Sequence, residues 1–440
     1  MSHSIVPLHP MYDQAKRMEP QKLAQELQQA QGDVPCLAKT APPLCYSPQQ
    51  LRRAYGIQPL LDAGMTGKGR IITIIDAFQA PTIRQDLRMF DQLFGLPDPQ
   101  LNIIAPFGLT PFDPNNPNHT GFAGEIALDV EWAHAMAPDA TINLVLANVK
   151  DESVQGQLNA LFQVLNFVVQ NNMGSVISQS FGIGEGCLPA AMIQQAHKIY
   201  QQARAQKQTV FASAGDSGAG AIQCDANGQP AALVQGVNYP ASDPLVTAVG
   251  GTTLRTAPSG AYIAETTWNE SQRGSGATGG GTSKVFAQPA FQQNIVRSTK
   301  RAVSDIALDA DPLTGVPIVT SSLRPGQTMI LPTGGTSVGA PVAAAMTVLL
   351  DQAAGGKRLG FLNSAFYRLS QDTAAYRQSI HDIRTGNNTF VFAEGKQVIR
   401  VPGFQAQAGW DAPTGIGSPN ATQLAKILPT LVNANEGADL

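Results

Sequence analysis

The sequence predicts an α/β fold in which a mainly parallel, twisted sheet is flanked by helices on both faces. Three observations carry this. Short β-branched apolar runs alternate with longer helical segments, the order that gives a parallel sheet with crossover helices. The strand-like runs are apolar throughout, as expected of strands covered on both faces. The 42 glycines and 31 prolines among 440 residues supply the tight turns such connections need.

The elements follow in order. Met1 to Asp33 is polar and Gln-rich, with a short helix expected over Glu19 to Gln31 and no basic-then-apolar signal layout. Tyr46 to Leu61 opens the ordered body. Arg70-Ile-Ile-Thr-Ile-Ile-Asp76 reads as a buried parallel strand ending in an acid. Leu158 to Gln170 reads as a helix, Ser175 to Ser178 as a strand, Ala190 to Gln206 as a helix and Thr209 to Ser213 as a strand. Residues 1–45 are expected to form an N-terminal tail or linker, 46–425 one domain, and 426–440 a second tail. Sites in such sheets lie beyond the carboxyl ends of the strands. Asp76, Ser178 to Gly182 and Ala214 to Gly218 all fall there.

Composition excludes several classes. Charged residues make up 14% and the formal net charge is −3, without a Lys/Arg block, so neither nucleic acid nor an anionic membrane is an expected partner. No apolar run reaches membrane-spanning length. The cysteines are Cys36, Cys45, Cys187 and Cys224, none in C-x-x-C spacing. They suit two disulfides, Cys36–Cys45 as the local pair and Cys187–Cys224, or else four reduced buried thiols. Bridges would place the protein in an oxidising compartment.

Three stretches carry chemistry. Gly121 to Ala137 is helical in composition and apolar around most of its circumference, so it should be buried. Within it, Glu125 and Asp129 are four apart on one face. Like charges at that spacing are unfavourable, and more so when buried. Two acids placed against both trends point to a shared proton or a catalytic pair; the alternative is a solvated face. Gly334-Gly335-Thr336-Ser337-Val338-Gly339-Ala340-Pro341 precedes the apolar run Val342 to Leu350. Small residues permit a sharp turn and Pro341 suits a first helical turn. Ser337 is then either a nucleophile at a helix N-terminus or a simple N-cap. Asp216 lies in the glycine-flanked turn Ser213-Ala-Gly-Asp-Ser-Gly218, where a self-bonding turn aspartate is the plain reading.

Together these stretches resemble the sedolisins, the serine-carboxyl peptidases. The resemblance runs from about Tyr46 to Pro419. It includes Tyr46-Ser-Pro-Gln-Gln-Leu51, Ser178-Gln-Ser-Phe-Gly182, Tyr239-Pro-Ala-Ser-Asp243, Val249-Gly-Gly-Thr252, Gly279-Gly-Gly-Thr-Ser283 and Trp410-Asp-Ala-Pro-Thr-Gly415. It implies a subtilisin-like fold and an acid-active endopeptidase, a monomer acting on polypeptide substrates in a secreted or periplasmic location. Ser337 would be the nucleophile, Glu125 its base, Asp129 the residue that orients Glu125, and Asp216 a protonated donor to the oxyanion. The family also binds one Ca²⁺, here through Asp382, Asp411 and the carbonyls of Ile383, Gln407 and Gly409; glycine is frequent in the family at the place of Gln407. Two aspartates with carbonyls and water suit that ion. Ser178, Gln179 and Ser180, with Gly279, Gly280 and Gly281, look like edges that would pair with an extended substrate. Sedolisins usually carry a long folded prosegment; residues 1–45 would be either the remnant of one that was removed or the tail of a member that lacks one.

Rival readings use the same serine. A histidine triad would join Asp76, His119 and Ser337, with His119 expected in a loop after Asn115, Asn116, Pro117 and Asn118. An α/β-hydrolase elbow would use Gly335-Thr-Ser337-Val-Gly339 with Asp351 and His381, but Leu331 to Gly335 should interrupt the strand such an elbow requires. A peptide-binding protein without catalysis is the third.

Overall fold

The computed structural model describes residues 45–324, 326–394 and 397–433. Its centre is the run read above as a buried strand. β1 (Ile71–Ala77) pairs in parallel on both sides, with β3 (Thr141–Ala147) and with β4 (Val176–Gln179). β2 (Leu101–Ile104) extends the sheet beyond β3, and β5 (Thr209–Ser213), β6 (Thr247–Thr256) and β7 (Tyr262–Thr267) extend it beyond β4. β8 (Ile306–Asp309) also pairs with β6. The pairing is parallel except between β6 and β7, so the mainly parallel sheet is as expected.

Successive strand residues point to opposite faces. Ile72 and Ile74 of β1 therefore join one apolar core, and Ile75 and Ala77 join the other. α1 (Pro48–Ala54) opens the described chain on a capping box: Gln50 N–H donates to Ser47 Oγ and Ser47 N–H to Gln50 Oε1. α2 (Ile83–Phe94) and α3 (Pro117–Met136) contribute to the first core, α4 (Val154–Gln170) and α5 (Ala190–Ala205) to the second. α6 (Gly339–Ala353) returns to the first face and packs on α3.

Three expectations change. α3 begins at Pro117, because Asn116 Oδ1 accepts the Asn118 N–H at 2.9 Å and caps it. This puts His119 in the first helical turn, where it is buried, and not in a loop. Met329–Thr333 is a strand despite Pro332; it pairs antiparallel with Val316–Thr320, outside the central sheet. The final helix Ala421–Asn433 crosses the boundary drawn at 425 and buries Leu428. The expected Cys187–Cys224 disulfide is present. The Glu19 to Gln31 helix and the Cys36 half of the Cys36–Cys45 pair lie outside the described residues.

Candidate active site

The carboxyl ends of β1, β4 and β5 deliver Asp76, Ser180 and Asp216 to one place, and α3 and α6 close it from the first face. α3 is buried along nearly its whole length, so Glu125 and Asp129, one turn apart, are both fully enclosed. Ser337 lies just before α6. Val338 takes the N-cap position and no side chain caps that end, so the Ser337 hydroxyl is not spent on capping. It faces the Glu125 carboxyl instead. That contact is loose: neither Glu125 oxygen has a well-formed partner, a common state of catalytic contacts without substrate.

Charge at this site is strongly constrained. Burial pushes Glu125 well above the usual carboxylate range, Asp129 adds to the rise, and the Ser337 hydroxyl partly offsets it. Asp129 is pushed up by burial as well, against a bond from Ser180 Oγ to its Oδ1 at 2.8 Å. Asp76 is raised by burial and then by Asp129. Among the described residues, both Asp76 oxygens and Oδ2 of Asp129 lack a donor, and Glu125 has only the contact with Ser337. Three enclosed carboxyls cannot all ionise, so they must hold protons between them and titrate as a unit. The protons leave in steps, each harder than the one before as charge accumulates.

Asp216 sits on the other side of the serine turn. Its Oδ1 accepts the Thr336 N–H and the Thr336 hydroxyl, each at 2.8 Å. Burial raises its pKa to about 6, with the Thr336 bonds opposing. Gly335 has φ +101°, and a Cβ on it would stand 2.7 Å from Asp216 Oδ2. Only glycine both adopts that conformation readily and lets the acid approach. The arrangement is a hydroxyl beside a proton-sharing carboxyl group, with an acid of raised pKa opposite, which is suited to acyl transfer.

Other expected site residues are engaged differently. Ser178 and Gln179 belong to β4, whose two edges are occupied by β1 and β5; they are not a substrate edge. Ser180 bonds Asp129. Gly279 N–H is bonded to Gly215 O, Gly280 O accepts from Asn388, and Gly281 pairs with Val303, so this segment is tied within the protein. His119 Nδ1 accepts the Asp113 N–H, its Nε2 is 3.6 Å from Glu152, and its ring packs on Phe78; it does not serve Ser337. Asp351 accepts the Leu359 N–H and His381 stacks on Tyr262, which leaves the hydrolase-type reading without partners. Thr336, inside the serine motif, also belongs to the site through Asp216, and Asp76 lies near enough to Asp129 to feel its charge; neither neighbour is close in sequence.

Asp382 and Asp411 are joined by one loop. Gly409 N–H donates to Asp382 Oδ1 and Gln407 N–H to Asp411 Oδ2, each at 3.0 Å. Burial raises Asp411 to about 6, and the charge of Asp382 adds to it. Arg384 Nε holds Asp382 Oδ2 at 2.7 Å. Among the described residues no three His, Cys, Asp or Glu side chains gather as a metal cluster. A cation between the two aspartates would draw its other donors from carbonyls and water, a set that fits Ca²⁺.

The Subtilase family profile matches residues 112–396. The chain is 33% identical over 407 residues to kumamolisin of Bacillus sp. (strain MN-32), covering 91% of this chain and 66% of that protein. To sedolisin of Pseudomonas sp. (strain 101) it is 35% identical over 311 residues, covering 69% and 49%. Thus it spans between about half and two-thirds of these relatives. The structure of Pseudomonas sedolisin complexed with two molecules of pseudo-iodotyrostatin superposes with a TM-score of 0.72 at 29% identity, covering 88% of this chain and 98% of that one.

Proposed function

Because the chain belongs to the subtilase family, and to its sedolisin branch, we propose that it is an acid-active serine-carboxyl endopeptidase. The convergence of Ser337, Glu125, Asp129 and Asp216 carries this reading. Ser337 Oγ attacks the scissile carbonyl as its proton passes to Glu125. Asp129, bonded to Ser180 and beside Asp76, shares the charge on Glu125. The oxyanion takes a hydrogen bond from neutral Asp216 and one from the Ser337 N–H. Collapse expels the amine, which receives the proton from Glu125. Water then cleaves the acyl-enzyme by the same route in reverse.

A resident Ca²⁺ would be held by Asp382, Asp411 and the carbonyls of Ile383, Gln407 and Gly409, and would supply loop stability. The Cys187–Cys224 bridge accords with a secreted or periplasmic location. Among the described residues no helix is long and apolar enough to cross a membrane.

The test is turnover of casein and of a mixed peptide library at several acidic pH values, with Ser337→Ala as control. Cleavage by the parent and not by the variant supports the proposal. Retained peptide binding without turnover by the parent would replace it with the non-catalytic reading.

A further inference from the structure

We propose that Thr336 is a positioning residue that decides which oxygen of Asp216 carries the proton. The inference rests on the oxyanion role assigned to Asp216 above. Oδ1 of Asp216 accepts two donors, the Thr336 N–H and the Thr336 hydroxyl. Thr336 Oγ1 also accepts the Gly215 N–H at 3.0 Å, which leaves its own hydrogen free for Asp216. The Thr336 N–H can only donate, so it marks Oδ1 as an acceptor. An oxygen that already accepts two hydrogen bonds has no lone pair to spare for a proton. In the neutral acid the proton must reside on Oδ2.

That oxygen is buried, has no hydrogen-bond partner among the described residues, and stands beside Gly335 in the turn that presents Ser337. It is the one Asp216 atom left to donate to a reacting carbonyl. The charged group that faces Asp216 from α3 is Glu125, and the Gly334-Gly-Thr-Ser337 turn brings no charge. Thr336 thus acts on catalysis through Asp216 without touching substrate. It links the carboxyl end of β5 to the serine turn by the Gly215, Thr336 and Asp216 bonds.

Two opposing consequences distinguish this role from a structural one. The Thr336 hydroxyl also favours the ionised form of Asp216, so its removal raises the Asp216 pKa. Thr336→Val should move the alkaline limb of kcat/KM upward by about one pH unit, while kcat on the acidic plateau falls by about tenfold because the proton is no longer confined to Oδ2. Thr336→Ala, which also lacks the donor, should do the same. Thr336→Ser keeps the hydroxyl and should stay within about twofold of the parent in both respects. KM and melting temperature are measured for all three. An alkaline limb that stays in place in Thr336→Val and Thr336→Ala overturns the inference alone. So does a kcat loss in Thr336→Ser equal to that in Thr336→Val. A parent whose kcat/KM does not fall with rising pH overturns the oxyanion reading of Asp216, and this inference with it.

Discussion

Ser180 Oγ donates to Asp129 Oδ1 over 2.8 Å, joining the end of the central strand β4 to the middle of α3. The bond favours the ionised form of Asp129 and leaves Oδ2 as its proton-bearing atom. Removing it by Ser180→Ala should lower kcat by roughly tenfold, about 1.4 kcal/mol. KM should change little, since no substrate contact is lost. The acidic limb of the profile should move to higher pH. Steady-state kinetics across pH would expose a mistake through an unchanged kcat.

The carboxyl reading and the histidine reading separate cleanly by substitution. Ser337→Ala, Glu125→Gln and Asp129→Asn should each remove most activity with the fold intact, and double variants should lose little more, because the groups act as one unit. His119→Ala should retain activity, since its ring packs on Phe78 and its nitrogens face Asp113 and Glu152. Circular dichroism checks folding. A His119→Ala loss as deep as that of Glu125→Gln would restore the histidine triad.

Much of this site was legible in the sequence because its residues sit in locally recognisable settings. Glu125 and Asp129 stand out as charges on an apolar helix, and Ser337 lies among small residues before Pro341. What could not be read depends on chain-distant neighbours. The order of strands decides that Ser178 and Gln179 are central and not an edge, and nothing local encodes that order. Thr336 gains its meaning from an acid 120 positions away. His119 differs for another reason: Asn116 and Pro117 suit a turn as well as a helix start, and here they form the start.

Calcium should act on stability more than on chemistry. A chelator, Asp382→Ala or Asp411→Ala should lower the melting temperature, since an ion bound only by the folded state stabilises it by mass action. At a free ion concentration about 100 times Kd the effect is about 2.7 kcal/mol. Differential scanning calorimetry with and without chelator, together with metal analysis, measures it. An unchanged melting temperature and no bound calcium would remove the ion from the account.

The pH profile of activity tests the mechanism itself. A base is needed on one side of Ser337 and a neutral acid on the other. The Glu125, Asp129 and Asp76 group supplies the base once its first proton has left, and that loss sets the acidic limb. Asp216 is raised by burial to about 6. It is neutral below that value and loses its proton above it, which sets the alkaline limb. Opposing ionisations give a bell with its maximum below about pH 6. Stability runs the same way. A carboxyl whose folded pKa is raised binds its proton more tightly in the folded state, so the advantage is complete below about pH 4 and is lost as pH rises through about 6. Asp216 and Asp351, both raised to about 6, contribute to this trend. Activity must therefore be measured as initial rates on protein shown to be folded at each pH. Asp216→Asn keeps a donor that never ionises, and it should be slower than the parent at acidic pH but flatter toward neutrality. A parent kcat/KM that peaks above pH 7 with folded protein throughout would rule out the serine-carboxyl mechanism.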